Sequence, residues 1–79
     1  MKEGFVVSNR VRKSIFTAVA GGIDTIEQIS KKERLQMVQA QKGLRELIDE
    51  KLIDEREGKL TLTEEGEKTL QTMKKERMI

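Results

Sequence analysis

The apolar residues between positions 26 and 53 constrain the fold most, because they follow helical spacing with one interruption. At about 100° per residue most of them lie on one side of a helix: Ile26, Ile29, Met37, Ala40, Leu44, Leu47 and Ile48. Leu35 falls roughly opposite Ile26, so a single helix over residues 25–50, which is the alternative, would leave Leu35 in water. A break near residues 33–35 lets Leu35 face inward. The pattern therefore predicts a helix from position 24 or 25 to 32, a tight turn, and a helix over 36–50.

A further helix is expected before this pair. Ser8 or Asn9 is a suitable N-cap, and Gly21-Gly22 supplies a stop that tolerates left-handed backbone. Between them, one face of an amphipathic helix carries Val11, Ile15, Ala18 and Val19. Residues 1–7 are expected to form a loose arm that packs Phe5 or Val7 onto the core.

Two short strands are expected after residue 50, over 52–56 and 59–62. Glu57-Gly58 is a two-residue hairpin signal, and Leu60 and Leu62 alternate with polar residues, so one face of the second strand is buried. Thr63 is a good N-cap for a last helix, which has acidic residues in its first turn and basic residues near its end.

These elements resemble the winged-helix DNA-binding domains. In that family an Ile-x-x-Ile helix leads through a Leu-centred turn to an apolar-x-x-x-Leu-x-x-Leu recognition helix, which ends at a Leu-Ile pair that opens the wing. The matching residues are Ile26, Ile29, Leu35, Ala40, Leu44, Leu47, Leu52 and Ile53. The turn departs from the family pattern, which usually has an apolar residue at Glu33, glycine at Arg34 and Ser or Thr at Gln36.

The resemblance implies an α+β, mainly helical fold: a winged helix with three helices, a β-hairpin wing and a C-terminal fourth helix. We expect residues 1–79 to form a single domain of this kind. In winged helices the link before the second helix often adds a brief strand beside the wing, and Ile23 is the candidate for it here.

Composition excludes several classes of function. The 79 residues contain no Cys and no His, which removes disulfides, thiolate or imidazole metal sites and a histidine general base. No apolar run approaches the roughly 20 residues that span a bilayer, and no signal-peptide core is present. Without Trp or Tyr, base stacking on aromatic side chains is not expected. We therefore predict a cytoplasmic protein that is not an enzyme and has no cofactor and no metal.

The partner that the resemblance implies is double-stranded DNA, contacted chiefly by the outer face of the recognition helix. Gln suits an adenine edge, Arg and Lys suit guanine or phosphate, and Val suits a thymine methyl group. The candidate base-reading residues are Gln36, Val38, Gln39, Gln41, Lys42 and Arg45. Further candidates for phosphate contact are Arg56 and Lys59 at the wing and Lys32 and Arg34 at the turn.

Other cations and the chain's end raise further possibilities. Arg10, Arg12 and Lys13 lie off the apolar face of the first helix, where they are either solvated or near phosphate. The last helix carries Leu70, Met73, Met78 and Ile79, which we expect to pair two chains into a homodimer, with Leu70 and Met73 at the interface. The alternative is that Leu70 and Met73 only cover their own core.

The net charge of +2 permits DNA binding without demanding it. Sequence-specific DNA binding in transcriptional regulation is the first prediction. The alternative is a winged-helix protein–protein interaction module in a larger assembly, which the missing glycine of the turn and the apolar Met37 and Val38 favour.

Overall fold

The computed structural model describes residues 2–77, and they form five helices and one antiparallel hairpin. The order of elements is α1 Glu3–Val7, α2 Arg10–Ala20, α3 Ile26–Glu33, α4 Met37–Asp49, β1 Ile53–Arg56, β2 Lys59–Leu62 and α5 Glu64–Lys75. The predicted α+β winged-helix fold is confirmed, with α2, α3 and α4 as its three helices, β1 and β2 as its wing, and α5 as its C-terminal helix. The additional helix is α1.

The segment that was predicted to be a loose arm is instead the helix α1. Val6 is completely buried, and the neighbouring Phe5 and Val7 are half-buried against the core. The helix packs on α2 and α5. Because a helix this short has little intrinsic stability in water, its packing against these two helices is what holds it.

The helix α2 begins and ends as predicted. The Asn9 side chain accepts hydrogen bonds from the backbone N–H groups of Val11 and Arg12, at 2.9 and 3.1 Å. After Ala20 the chain turns through Gly21, which stays right-handed, and Gly22, whose φ of +104° is the left-handed conformation. Of the two glycines, Gly22 is therefore the one whose left-handed backbone turns the chain away after α2.

The turn between α3 and α4 is closed by Arg34, which has a left-handed φ of +56°. The Leu35 N–H donates to the Ser30 carbonyl at 2.9 Å, and the Ser30 hydroxyl donates to the Leu35 carbonyl at 2.7 Å. This pair of hydrogen bonds satisfies the end of α3 although no glycine is present. Leu35 packs against the core, so the predicted break is confirmed and the single long helix is wrong.

The helix α2 packs tightly against α4 at Gly43, which is buried. A Cβ atom at this position would lie 2.8 Å from Val11 Cγ1 and 3.1 Å from Ile15 Cδ1. The inward face of α4 consists of Ala40, Gly43, Leu44 and Leu47. Ile48, which was predicted on this face, is only half-buried at its edge.

The wing is a two-residue hairpin in which Ile53 pairs with Leu62 and Arg56 with Lys59. Glu57 and Gly58 both have positive φ, +52° and +79°, as a type I′ turn requires. Among the described residues the sheet has only these two strands, so the strand predicted at Ile23 is wrong. A single backbone hydrogen bond, from the Leu60 N–H to the Asp24 carbonyl at 2.7 Å, joins that link to the wing.

The helix α5 begins at the predicted cap, since the Thr63 hydroxyl accepts from the Gly66 N–H at 2.9 Å. Leu70 and Met73 are 6% and 0% exposed within the chain itself. The chain's own core therefore already covers these two side chains, as the alternative prediction has it. Met78 and Ile79 lie outside the described residues, and pairing through this helix stays a prediction.

The close approach at Gly43 predicts that Gly43→Ala lowers the free energy of unfolding by about 1–3 kcal/mol, since two side chains of α2 must move to admit one methyl group. Chemical denaturation measures this loss. Gly4→Ala is the matched control, because nothing lies within 4 Å of its Cβ position, and it should be neutral or slightly stabilising. Equal stability of both variants and the parent would contradict the packing described here.

Candidate nucleic-acid interface

The outer face of α4 carries one straight row of exposed residues. Val38, Lys42, Arg45 and Asp49 lie at successive spacings of four, three and four residues, which places them along one side of a helix. The opposite side is the buried face that contains Leu44 and Leu47, so this row points directly away from the core. All six base-reading candidates are exposed: Gln36, Val38, Gln39, Gln41, Lys42 and Arg45.

Four of the predicted residues on α4 divide between two grooves that flank this row. Gln41 and Arg45 line an open groove between α4 and the wing, together with Ile26, Leu44, Ile48, Asp49 and Glu55. Gln39 and Lys42 line a second groove on the side of α2, together with Asn9, Val11, Gly43 and Glu46. Gln41 and Arg45 therefore border the groove on the wing side of the row, and Gln39 and Lys42 border the groove on its α2 side.

The cations of the wing are paired with carboxylates. Arg56 Nε lies 2.9 Å from Asp54 Oδ2, and Lys59 Nζ lies 3.5 Å from Asp24 Oδ2. All four side chains are substantially exposed, so these pairs add little to stability. They do neutralise the two positive charges that the sequence offered for phosphate contact.

Glu55, which was not among the predicted site residues, lines the groove beside α4. It pairs with Leu60 across the hairpin, and paired residues of an antiparallel ladder share a face. Leu60 is buried, so Glu55 lies on the inner face of the wing and lines the same groove as Arg45. The alternation of Ile53, Asp54 and Glu55 along the strand was the sequence signal for this placement.

The two turn candidates, Lys32 and Arg34, are both exposed at the end of α3 beside Lys31. No acidic partner within 4.0 Å is found for them among residues 2–77. Cations without such a partner therefore lie at the end of α3 (Lys31, Lys32 and Arg34) and on the outer face of α4 (Lys42 and Arg45), whereas the wing and the end of α4 carry Asp49, Glu55 and Glu57.

Arg12, unlike those cations, belongs to the packing of the domain. Its guanidinium lies 3.9 Å from the centre of the Phe5 ring and donates to the Phe5 carbonyl at 2.9 Å. It also donates to Glu46 Oε1 at 3.2 Å and to the Ser8 hydroxyl at 3.0 Å. With its side chain 15% exposed, Arg12 joins α1, α2 and α4, and a contact with phosphate would require these bonds to break.

A model of the winged helix-turn-helix family matches residues 8–79, which is nearly the whole chain. The chain belongs to the winged helix-turn-helix family. Comparison with curated proteins and with solved structures found no match. Within the winged helix-turn-helix chain, α1 lies before the matched residues, so this helix is an addition to the part that the family model covers.

The described part of this winged helix-turn-helix chain shows neither a metal site nor a membrane span. Residues 2–77 contain no cluster of three or more acidic side chains arranged to hold a metal ion. None of the helices in the same range is long and apolar enough to cross a bilayer. The family relationship suggests DNA binding for this domain.

The left-handed backbone at Arg34 predicts that Arg34→Gly raises the free energy of unfolding by about 1 kcal/mol, because glycine adopts positive φ without steric cost. Lys32→Gly removes the same charge from within α3 and should lower stability by about 1 kcal/mol. Thermal melting of the two variants beside the parent measures both effects. A loss of stability in Arg34→Gly would show that the Arg34 side chain stabilises the fold by more than the left-handed backbone at this position destabilises it.

Proposed function

We propose that this protein binds double-stranded DNA in a sequence-specific manner and acts as a transcriptional regulator, with α4 inserted into the major groove. The observation that supports this most is the exposed row of Val38, Lys42 and Arg45. It lies on a helix whose opposite side is fixed in the core. A rigid helix with long polar side chains on its free side is what a major groove admits.

The side chains on and beside this row match the chemistry of base edges. Arg45 suits the O6 and N7 acceptors of guanine, and Gln39 or Gln41 suits the N6 and N7 atoms of adenine. Lys42 suits either guanine or a phosphate. Because Gln41 and Arg45 lie on the wing side and Gln39 and Lys42 on the α2 side, the two pairs would meet different strands or different base steps.

Lys32 and Arg34 are proposed to hold the DNA backbone beside the groove. Both are exposed, and their charges are free within the described residues. The side chain of Gln36 makes no capping hydrogen bond to the first turn of α4. The backbone N–H groups of that turn are therefore proposed as further donors to a phosphate, which helix N-termini bind well. Arg56 and Lys59 contribute only if DNA displaces Asp54 and Asp24 from them.

The acidic residues set the direction in which α4 would enter the groove. Asp49 lies in its last turn and Glu55 on the adjoining strand of the wing, and both repel phosphate. The amino-terminal half of α4, with Val38 and Lys42, is therefore proposed to lie deepest, and the carboxyl-terminal end to lie away from the duplex.

Replacing Lys42 and Arg45 together by Ala should weaken duplex binding by about tenfold or more, with an unchanged melting temperature, since both side chains are exposed. The binding is measured by salt-titrated shift assays on random duplex DNA. Lys74→Ala with Lys75→Ala is the matched control: it removes equal charge from α5, which packs on α1 and β2. If the double variant on α4 binds as tightly as this control across salt, α4 does not read the groove.

A second candidate function is a protein-binding module that presents the same helix to a partner chain. The exposed Met37 and Val38 and the paired charges of the wing favour it. The salt titration separates the two functions, because DNA contacts release counterions and give a steep salt dependence. Duplex affinity that stays negligible even at low salt would select the protein-binding function.

A further inference from the structure

Val38 is a highly exposed apolar side chain in the first turn of α4. It is 77% exposed, and Met37, at 37%, is the other large apolar side chain that is exposed within residues 2–77. A single exposed apolar residue is ordinary on a protein surface. Here, however, Val38 gains nothing from the core, and a β-branched residue lowers helix propensity. Val38 is the first residue of the exposed row that continues with Lys42 and Arg45, so a partner that binds this row would also contact Val38.

The floor of the major groove offers one kind of apolar group, the C5-methyl of a pyrimidine. Thymine carries this methyl in all DNA, and 5-methylcytosine carries it at the same ring position. The residues in the first turns of a recognition helix are those that contact base edges. Val38 lies in the first turn of α4, where Gln36 and Gln39 are polar and cannot make an apolar contact of this kind.

We propose that Val38 is a specificity-determining residue that packs against a pyrimidine C5-methyl group in the major groove. This inference rests on the proposed DNA-binding function and adds to it the identity of one feature in the target. The methyl carbon meets the two γ-methyl groups of Val38, and water leaves both surfaces. Cytosine or uracil at the same position would leave Val38 in contact with water.

The helix geometry also fixes where this methyl group lies relative to the other contacts. Lys42 is four residues further along α4 and Arg45 seven, which is roughly 6 Å and 10.5 Å along the axis. Successive base pairs are about 3.4 Å apart. With α4 along the groove, the methyl-bearing pyrimidine therefore lies about two base pairs from the position that Lys42 affects and about three from the position that Arg45 affects.

The test begins with selection of tight-binding duplexes from a random pool by the full chain. In the selected duplex each thymine is then replaced singly by deoxyuridine, which removes the methyl group and leaves the hydrogen-bonding pattern intact. One replacement should weaken binding about fourfold, as expected for one methyl group withdrawn from an apolar contact. With Val38→Ala the same replacement should change binding less than about twofold, because most of the apolar contact surface is gone.

Met37→Ala is the matched control, because it removes the other exposed apolar side chain from the same turn. It should keep the fourfold effect of the methyl group. A second arm places cytosine or 5-methylcytosine at the sensitive position. If 5-methylcytosine binds more tightly than cytosine there, the methyl group alone accounts for the contact. If only thymine against deoxyuridine shows a difference, the protein also reads other atoms of thymine.

Two results would overturn the proposal: no thymine whose methyl group matters, or a methyl effect that persists in Val38→Ala. Failure of the proposed function looks different, since then no duplex is selected and Lys42→Ala with Arg45→Ala changes nothing. Selection that succeeds, together with sensitivity to Lys42 and Arg45 but not to any methyl group, keeps the DNA-binding function and removes only the role of Val38.

Discussion

The close contact of α2 with α4 at Gly43 is the constraint on which the rest of the structure depends. Because Val11 and Ile15 fill the space where a side chain would stand, α4 lies against α2 in one rotational setting. That setting buries Leu44 and Leu47 and turns the opposite row outward. The ion pair between Arg12 and Glu46 lies across the same two helices, and the Phe5 ring of α1 covers the guanidinium. The position of the exposed face thus follows from the packing behind it.

Several turns of this protein place residues other than glycine in the left-handed conformation. Arg34, Lys51, Glu57 and Arg77 all have positive φ within the described residues, a conformation that costs roughly 1–2 kcal/mol for an ordinary residue. Hydrogen bonds offset the cost. Leu35 and Ser30 bond twice at the first of these turns, and the Leu52 N–H reaches the Leu47 carbonyl after α4. The turns after α3 and α4 are therefore specified by hydrogen-bond geometry and by the apolar residues that follow them, Leu35 and Leu52.

Charge is distributed unevenly along the exposed surface, and this bears on how the domain would meet DNA. Within residues 2–77, cations without a carboxylate partner lie at the end of α3 and, as Lys42 and Arg45, on the outer face of α4. The cations of the wing are paired, and Glu55 lines the groove beside α4. A duplex that follows this distribution would contact α4 and the turn before it more than the wing. The low net charge of the chain is thus compatible with a locally positive surface.

The sequence alone determined most of the fold, because the apolar residues repeat at helical spacing and one of them, Leu35, is out of phase. The cap at Thr63 and the turn at Glu57-Gly58 were predicted as observed, and the cap of α2 was narrowed to Ser8 or Asn9, since each is a local interaction between neighbours in the chain.

Only the tertiary structure decided which of the candidate residues are free. In the sequence Arg12 cannot be told from an exposed cation, but in the fold it contacts Phe5 of α1 and Glu46 of α4. Leu70 and Met73 were predicted to be exposed for pairing, but the core of the same chain buries them. The same holds for Gly43, whose role depends on the residues of α2, and for Glu55, which the hairpin register turns toward Arg45. Burial and pairing join residues that are distant in the chain, so local spacing carries little information about them.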